Sequence, residues 1–152
     1  MSELPEVEQA RALMTEAMAW SVMRWLREKK RVRKVADRAN AALDELDRVV
    51  KTRWSREAIA AYNELLKKTD AALPDPRGQL ANQPPPTITP DARQFARRVK
   101  EADDEAHRAR MDAEATFDEA ERRLSTSLAR EGCRKAIHSW DLFEKAIRRA
   151  ET

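Results

Sequence analysis

Histidine and cysteine are nearly absent from this chain of 152 residues, which has two of the first and one of the second. A single cysteine, Cys133, permits neither an intrachain disulfide nor a thiolate cluster. His107 and His138 cannot supply the paired Glu-x-x-His motifs of a di-metal helical bundle, because only His107 has a carboxylate, Asp104, three residues before it. Asp104 and His107 are therefore expected on a solvated face, and no metal is expected. Cys133 and His138, five residues apart, would point in different directions on a helix, so a structural thiol is the expectation and a nucleophile–base pair is not. With only Gly78 and Gly132, no glycine loop can cradle a phosphate. These absences argue against an enzyme and against a bound cofactor.

Long apolar runs are missing too. The most apolar stretch, Ala12 to Leu26, contains Glu16 and Arg24 and falls short of the ~20 residues a membrane span needs. The opening MSELPEVEQ is acidic where a secretory signal would be positive. With the lone cysteine, this places the chain in the cytoplasm as an expectation.

What is abundant is charge, 38% of residues, on a background of Ala, Leu, Glu and Arg, while aromatics are only 5%. That is the composition of long amphipathic helices. Six of the seven prolines lie between Pro74 and Pro90, so the interruptions are concentrated in one place. From Glu6 to Leu73 there is neither Gly nor Pro. Within that span Val32, Ala36, Ala39, Leu43, Leu46 and Val50 alternate steps of four and three, the seam of a coiled coil. Trp54, Ala58, Ala61 and Leu65 continue it after an additional step of four, as a stutter would. Upstream, Val7, Met14, Met18, Val22 and Trp25 extend the face, with Pro5 in the first turn and Ser2 as cap.

After a Pro-rich connector at about 73–89, Thr89-Pro90-Asp91 reads as a hydroxyl N-cap, a proline at the first helical position and a carboxylate on the positive helix end. A second apolar stripe follows: Ala92, Phe95, Val99, Ala102, Ala106, Ala109, Ala113, Phe117, Ala120, Leu124 and Leu128. Gly132 is either a C-cap or a weak point, and beyond it Ile137, Trp140, Phe143 and Ile147 restore the face.

The expected fold is thus all-α and a single domain over 1–152. Two long helices, at about 4–72 and about 90–150 with an optional break near residue 132, form an antiparallel coiled-coil hairpin. Folding back near residue 80 would set residue i beside residue 160 minus i, pairing bulky positions with alanines across a rod of about 90 to 100 Å. The alternative is a compact three- or four-helix bundle with breaks at residues 29–33 or 52–55 and near Gly132. Around Met14, Met18 and Trp20 the first helix is apolar nearly all round, and Trp140 and Phe143 arrive at the same end. Such a helix needs several neighbours, which predicts a homodimer making a local four-helix bundle there.

Two charge features remain. Between Arg24 and Lys34 seven cations accompany one anion, Glu28. Arg24, Arg27, Arg31, Lys34 and Arg38 follow three–four spacing and line one stripe of about 20 Å. Such a stripe can track nucleic-acid phosphates or anionic headgroups, with Trp20 and Trp25 as candidate stacking groups, or be a solvated coiled-coil flank. The second feature is an acidic run, Glu101 to Glu121, with nine carboxylates against Arg108 and Arg110. It reads as solubility and helix registration, or as a docking surface for a partner of opposite charge. The leading functional expectation is a non-enzymatic structural or adaptor protein that binds itself and another protein. An accessory nucleic-acid-binding protein comes second and a peripheral membrane-associated protein third.

Overall fold

The computed structural model describes residues 4–68 and 86–151. The expected cap at Ser2, the end of the first segment at 69–72 and the connector through residue 85 lie outside the described residues. The protein is all-α. Five helices follow in order: α1 Pro5–Ala17, α2 Val22–Thr52, α3 Arg56–Lys67, α4 Pro90–Arg123 and α5 Thr126–Glu151. The start expected at residue 90 is present. The Thr89 hydroxyl accepts the Ala92 N–H at 3.2 Å, Pro90 opens α4, and Asp91 occupies its first turn.

Neither long segment is one helix. The first is divided at residues 18–21 and again at 53–55, and the second at Leu124 and Ser125. All three interruptions share one local chemistry. Ser21, Ser55 and Ser125 each accept the backbone N–H three residues on, at 3.1–3.2 Å, and so cap the helix that follows. In the first two a tryptophan precedes the serine and is buried. The step of four before Trp54 that resembles a stutter is a helix break. Residues 29–33 lie in mid-helix, and Gly132 lies inside α5, eight residues beyond the actual turn. Leu124 ends α4 in the left-handed conformation, φ 53° and ψ 47°, and the Ser125 N–H returns to the Ala120 carbonyl at 3.0 Å.

The turn at Leu124 doubles α5 back along α4, making the most extensive helix pair in the protein. At its centre the Phe117 ring occupies the space a side chain at residue 132 would take. A Cβ built on Gly132 falls 2.5 Å from Phe117 Cδ1 and Cε1. The other face of the Phe117 ring stacks on Trp25 at 4.4 Å, with planes 8° apart, which ties α2 to the pair. α2 runs parallel to α5, where Asn40 accepts the Trp140 indole N–H and the Ala150 carbonyl accepts that of Trp54, both at 2.9 Å. It runs antiparallel to α4, linked by Asp44–Arg110 at 3.2 Å and Lys51–Asp103 at 2.6 Å. Residue 110 thus meets residue 44, and not residue 50 as folding back about residue 80 implies.

α1 packs on α2 and α5, and α3 packs on α4. The periodic positions form the core: Val32, Ala39, Leu43 and Val50 of α2 are buried, as are Ala96, Val99, Ala106, Ala113 and Ala120 of α4. The apolar end is enclosed by α1, α2, α4 and α5 of the same chain. Met14, Trp20, Trp140 and Phe143 are each 4% exposed or less, and Met18 is partly buried against them. The several neighbours that this end requires are supplied intramolecularly, with four of these five side chains buried and Met18 partly exposed.

Two substitutions test this packing. Gly132→Ala would raise helix propensity by about 1 kcal/mol, yet the stacked Phe117 ring cannot retreat. A net loss of up to about 2 kcal/mol is expected in denaturant unfolding, with partial recovery on adding Phe117→Leu; strictly additive effects would reject the steric account. Leu124→Gly relieves a left-handed residue that is 59% exposed. A gain of up to about 1 kcal/mol is expected after the added unfolded-chain entropy is counted, and a loss would contradict it.

Candidate nucleic-acid interface

The cations of α2 occupy the side of the helix opposite Val32, Ala39 and Leu43. Because those apolar positions face the α4–α5 pair, Arg24, Arg27, Lys30, Arg31, Arg33, Lys34 and Arg38 are all exposed. α2 is continuous from Val22 to Thr52, so the stripe is unbroken and spans about 20 Å. Two members have partners in the chain. Arg24 lies 3.8 Å from Glu16, and Arg31 bonds Glu28 at 3.0 Å. Both guanidinium groups also lie over the Trp20 ring, at 4.6 and 5.9 Å from its centroid. Arg27, Lys30, Arg33, Lys34 and Arg38 have no carboxylate within ion-pair distance among the described residues.

The acidic run of α4 behaves differently, because much of it is neutralised within the chain. Asp103 pairs with Lys51, Asp104 with Lys100 at 2.5 Å, Asp112 with Lys135 at 3.1 Å, Glu121 with Lys29 at 3.5 Å, and Glu119 with Arg122 and Arg123. These contacts register helices. Lys29–Glu121 and Asp44–Arg110, like Lys51–Asp103 and the Trp25–Phe117 stack, bridge α2 and α4, and between these two helices opens a cleft of about 390 Å³ floored by Ala136, Ser139 and Trp140. Asp104 is engaged with Lys100, while His107 sets its ring edge-on to Phe143 at 5.1 Å. Among the described residues no three His, Cys, Asp or Glu side chains come together as metal ligands. The Cys133 thiol is fully buried, which pushes its pKa up to about 12, while His138 is exposed.

The aromatic candidates do not join the stripe. Trp20 and Trp25 are 4% and 5% exposed, so neither offers a free ring face to a base. Among the described residues Met23, Met111 and Leu124 are the large apolar side chains left exposed, and they are far apart in sequence.

A polar cluster that the sequence pattern concealed sits where α2, α3 and α4 meet. Lys51 is 6% exposed and donates to Asp103 at 2.6 Å, Asp47 at 2.9 Å and Tyr62 Oη at 3.3 Å; the Tyr62 hydroxyl in turn donates to Asp103 at 2.5 Å. Burial opposes the Lys51 charge, but Asp103 and Asp47 outweigh it and raise its pKa well above the ordinary lysine value. Burial, reinforced by Asp103, raises the Tyr62 phenol against the opposing pull of Lys51. Burial also raises Asp47, with Lys51 opposing. Lys51, Tyr62 and Asp103 are buried and Asp47 is partly exposed, so the cluster serves to orient helices. On helical periodicity Lys51 and Asp103 are indistinguishable from surface charges; only their positions beside Val50 and Ala102 in the two core stripes hint at burial.

The chain matches no protein-family model, no curated protein and no solved structure. No described helix is long and apolar enough to cross a membrane.

The cluster predicts a defined alkaline behaviour. Lys51 and Tyr62 both bind their protons more tightly folded than unfolded, so the stability they confer is complete below about pH 10 and is lost as pH rises beyond it. Tyr62 is the only tyrosine. Absorbance of tyrosinate near ~295 nm should therefore stay absent past pH ~10 and appear together with loss of helical circular dichroism. Ionisation of Tyr62 in a chain that is still helical would refute the buried assignment.

Proposed function

We propose that this protein is a non-enzymatic nucleic-acid-binding protein that holds a phosphate backbone along the outer face of α2. The observation that carries this reading is the row Arg27, Lys30, Lys34 and Arg38, exposed and without ion-pair partners among the described residues on one unbroken helix, while five of the nine carboxylates of the acidic run are paired within the chain. Cations left without partners in the chain release counter-ions on meeting phosphates, and that release is the main source of backbone affinity.

Other partners fit less well. A protein interface is built around a buried apolar or aromatic anchor, and the stripe has only Met23 beside it. An interfacial membrane helix inserts its apolar face, whereas that of α2 is committed to the core. The structural or adaptor role through self-association loses its candidate contacts, since Met14, Met18, Trp20, Trp140 and Phe143 pack inside one chain. A homodimer remains open to charge pairing alone, with the unmatched carboxylates Glu101, Glu105, Glu114 and Asp118 of one copy meeting the stripe of another.

Binding to a mixed-sequence nucleic acid should weaken with salt at a log–log slope of about −4 to −5, as about five phosphate contacts require. Lys34→Glu with Arg38→Glu should cut the slope magnitude by about 2 and the low-salt affinity by roughly tenfold or more, leaving the circular dichroism unchanged because both side chains are exposed. An unchanged slope would remove the stripe from the interface. Binding to anionic vesicles in place of nucleic acid, or salt-sensitive self-association in light scattering without nucleic acid, would transfer the site to those partners.

A further inference from the structure

Resting on that reading of α2, we infer that the preferred ligand is a double helix, bound without regard to its base sequence, and not a single strand. The aromatic residues decide this. The chain has eight, four Trp, three Phe and one Tyr, and all lie among the described residues. None is exposed: Trp20, Trp25, Trp54, Tyr62, Trp140 and Phe143 are buried, and Phe95 and Phe117 are partly buried against the core. Sites for single strands combine a basic groove with rings on which successive bases stack, and stacking supplies a large share of their affinity. No such platform exists here. The one ring next to the stripe, Trp20, is covered by the guanidinium groups of Arg24 and Arg31.

What remains is a row of charges on one helix. Arg27, Lys30, Arg31, Lys34 and Arg38 repeat along about 16 Å of a helix that is unbroken from Val22 to Thr52. A duplex presents phosphates already fixed in rows, at roughly one charge per 1.7 Å of its axis, and releases more counter-ions per contact than a single strand does. A flexible strand would have to be straightened onto the row with no stacking to offset the ordering. Sequence readout needs side chains that pair with base edges. The exposed positions from Met23 to Ala41 are Lys and Arg apart from Met23, Asp37 and Ala41, with no Asn or Gln to pair with adenine, and on the outside of the bundle they meet phosphates ahead of base edges. The stripe has only a shallow hollow between Lys30, Arg33, Lys34 and Arg38, so it can rest on the phosphate ridge without enclosing a strand.

The test uses the full chain and fluorescence anisotropy at one low salt concentration. The probes are duplexes of about 20 base pairs, one of A·T pairs, one of G·C pairs and one mixed, and an oligo-dT strand of about 40 nucleotides carrying a similar number of phosphates. The three duplexes should bind within about threefold of one another and roughly tenfold or more tighter than the strand. Oligo-dT binding as tightly as the duplexes would overturn the preference for a double helix and leave backbone binding intact. A preference above about tenfold among the duplexes would overturn sequence independence. Absence of binding to every probe would instead overturn the nucleic-acid reading itself. Arg27→Glu, at an exposed position, should weaken all duplexes by the same factor; a loss confined to one sequence would also contradict the inference.

Discussion

Close packing of α4 on α5 is the contact from which the remaining helices take their positions. It depends on small residues. Ala106, Ala113 and Ala120 of α4 and Ala129, Gly132 and Ala136 of α5 are buried, and they let the two backbones approach while contributing little apolar area of their own. Larger side chains come both from the pair, with Trp140, Phe143 and Ile147 of α5, and from outside it, with Trp25, Val32 and Leu43 of α2 and Val7, Leu13 and Met14 of α1. Phe117 fills the void at Gly132 and stacks on Trp25, so one ring couples three helices. If the pair separated, α2 would lose the surface that holds its apolar face inward, and the cations opposite would lose their orientation.

That orientation links fold and proposed function. A helix with a narrow apolar stripe displays whatever lies on its far side. On α2 the far side is a line of cations at regular intervals, fixed because Asn40–Trp140, Asp44–Arg110 and Lys51–Asp103 set the helix against its neighbours at three heights. The bonds of Lys51 to two carboxylates and a phenol give direction where apolar contacts give none, since removing either Lys51 or Asp103 would strand a buried charge. The protein thus uses opposite charge inside to register its helices and unmatched positive charge outside.

The bundle alternative anticipated the break at 53–55, whereas those at 18–21 and 124–125 escaped detection for a physical reason. The turns at 18–21 and 53–55 contain three or four residues and include a buried tryptophan, so apolar residues keep recurring at helical intervals through each break. Trp20 and Trp54 leave the helical path yet still enter the core. The local mark of each break is the serine that follows, capping a new helix exactly as Thr89 does where proline makes the start conspicuous. At Leu124 a residue with no preference for the left-handed conformation adopts it, and sequence offers no warning because the cost is met by the packing of α5 on α4.

By itself the sequence determined the helical class, the start of α4 at Thr89-Pro90, the apolar seam of α2 and the outward stripe of Arg24, Arg27, Arg31, Lys34 and Arg38. Each follows from spacing within a single helix, where neighbours along the chain suffice to define a face. Tertiary structure alone decided where the helices stop, that Lys51 and Asp103 lie inside, and that the Met14, Trp20 and Trp140 end is covered by its own chain. Those outcomes depend on which helices meet and at what height, and the free energy that selects among such arrangements comes from contacts between residues far apart in sequence.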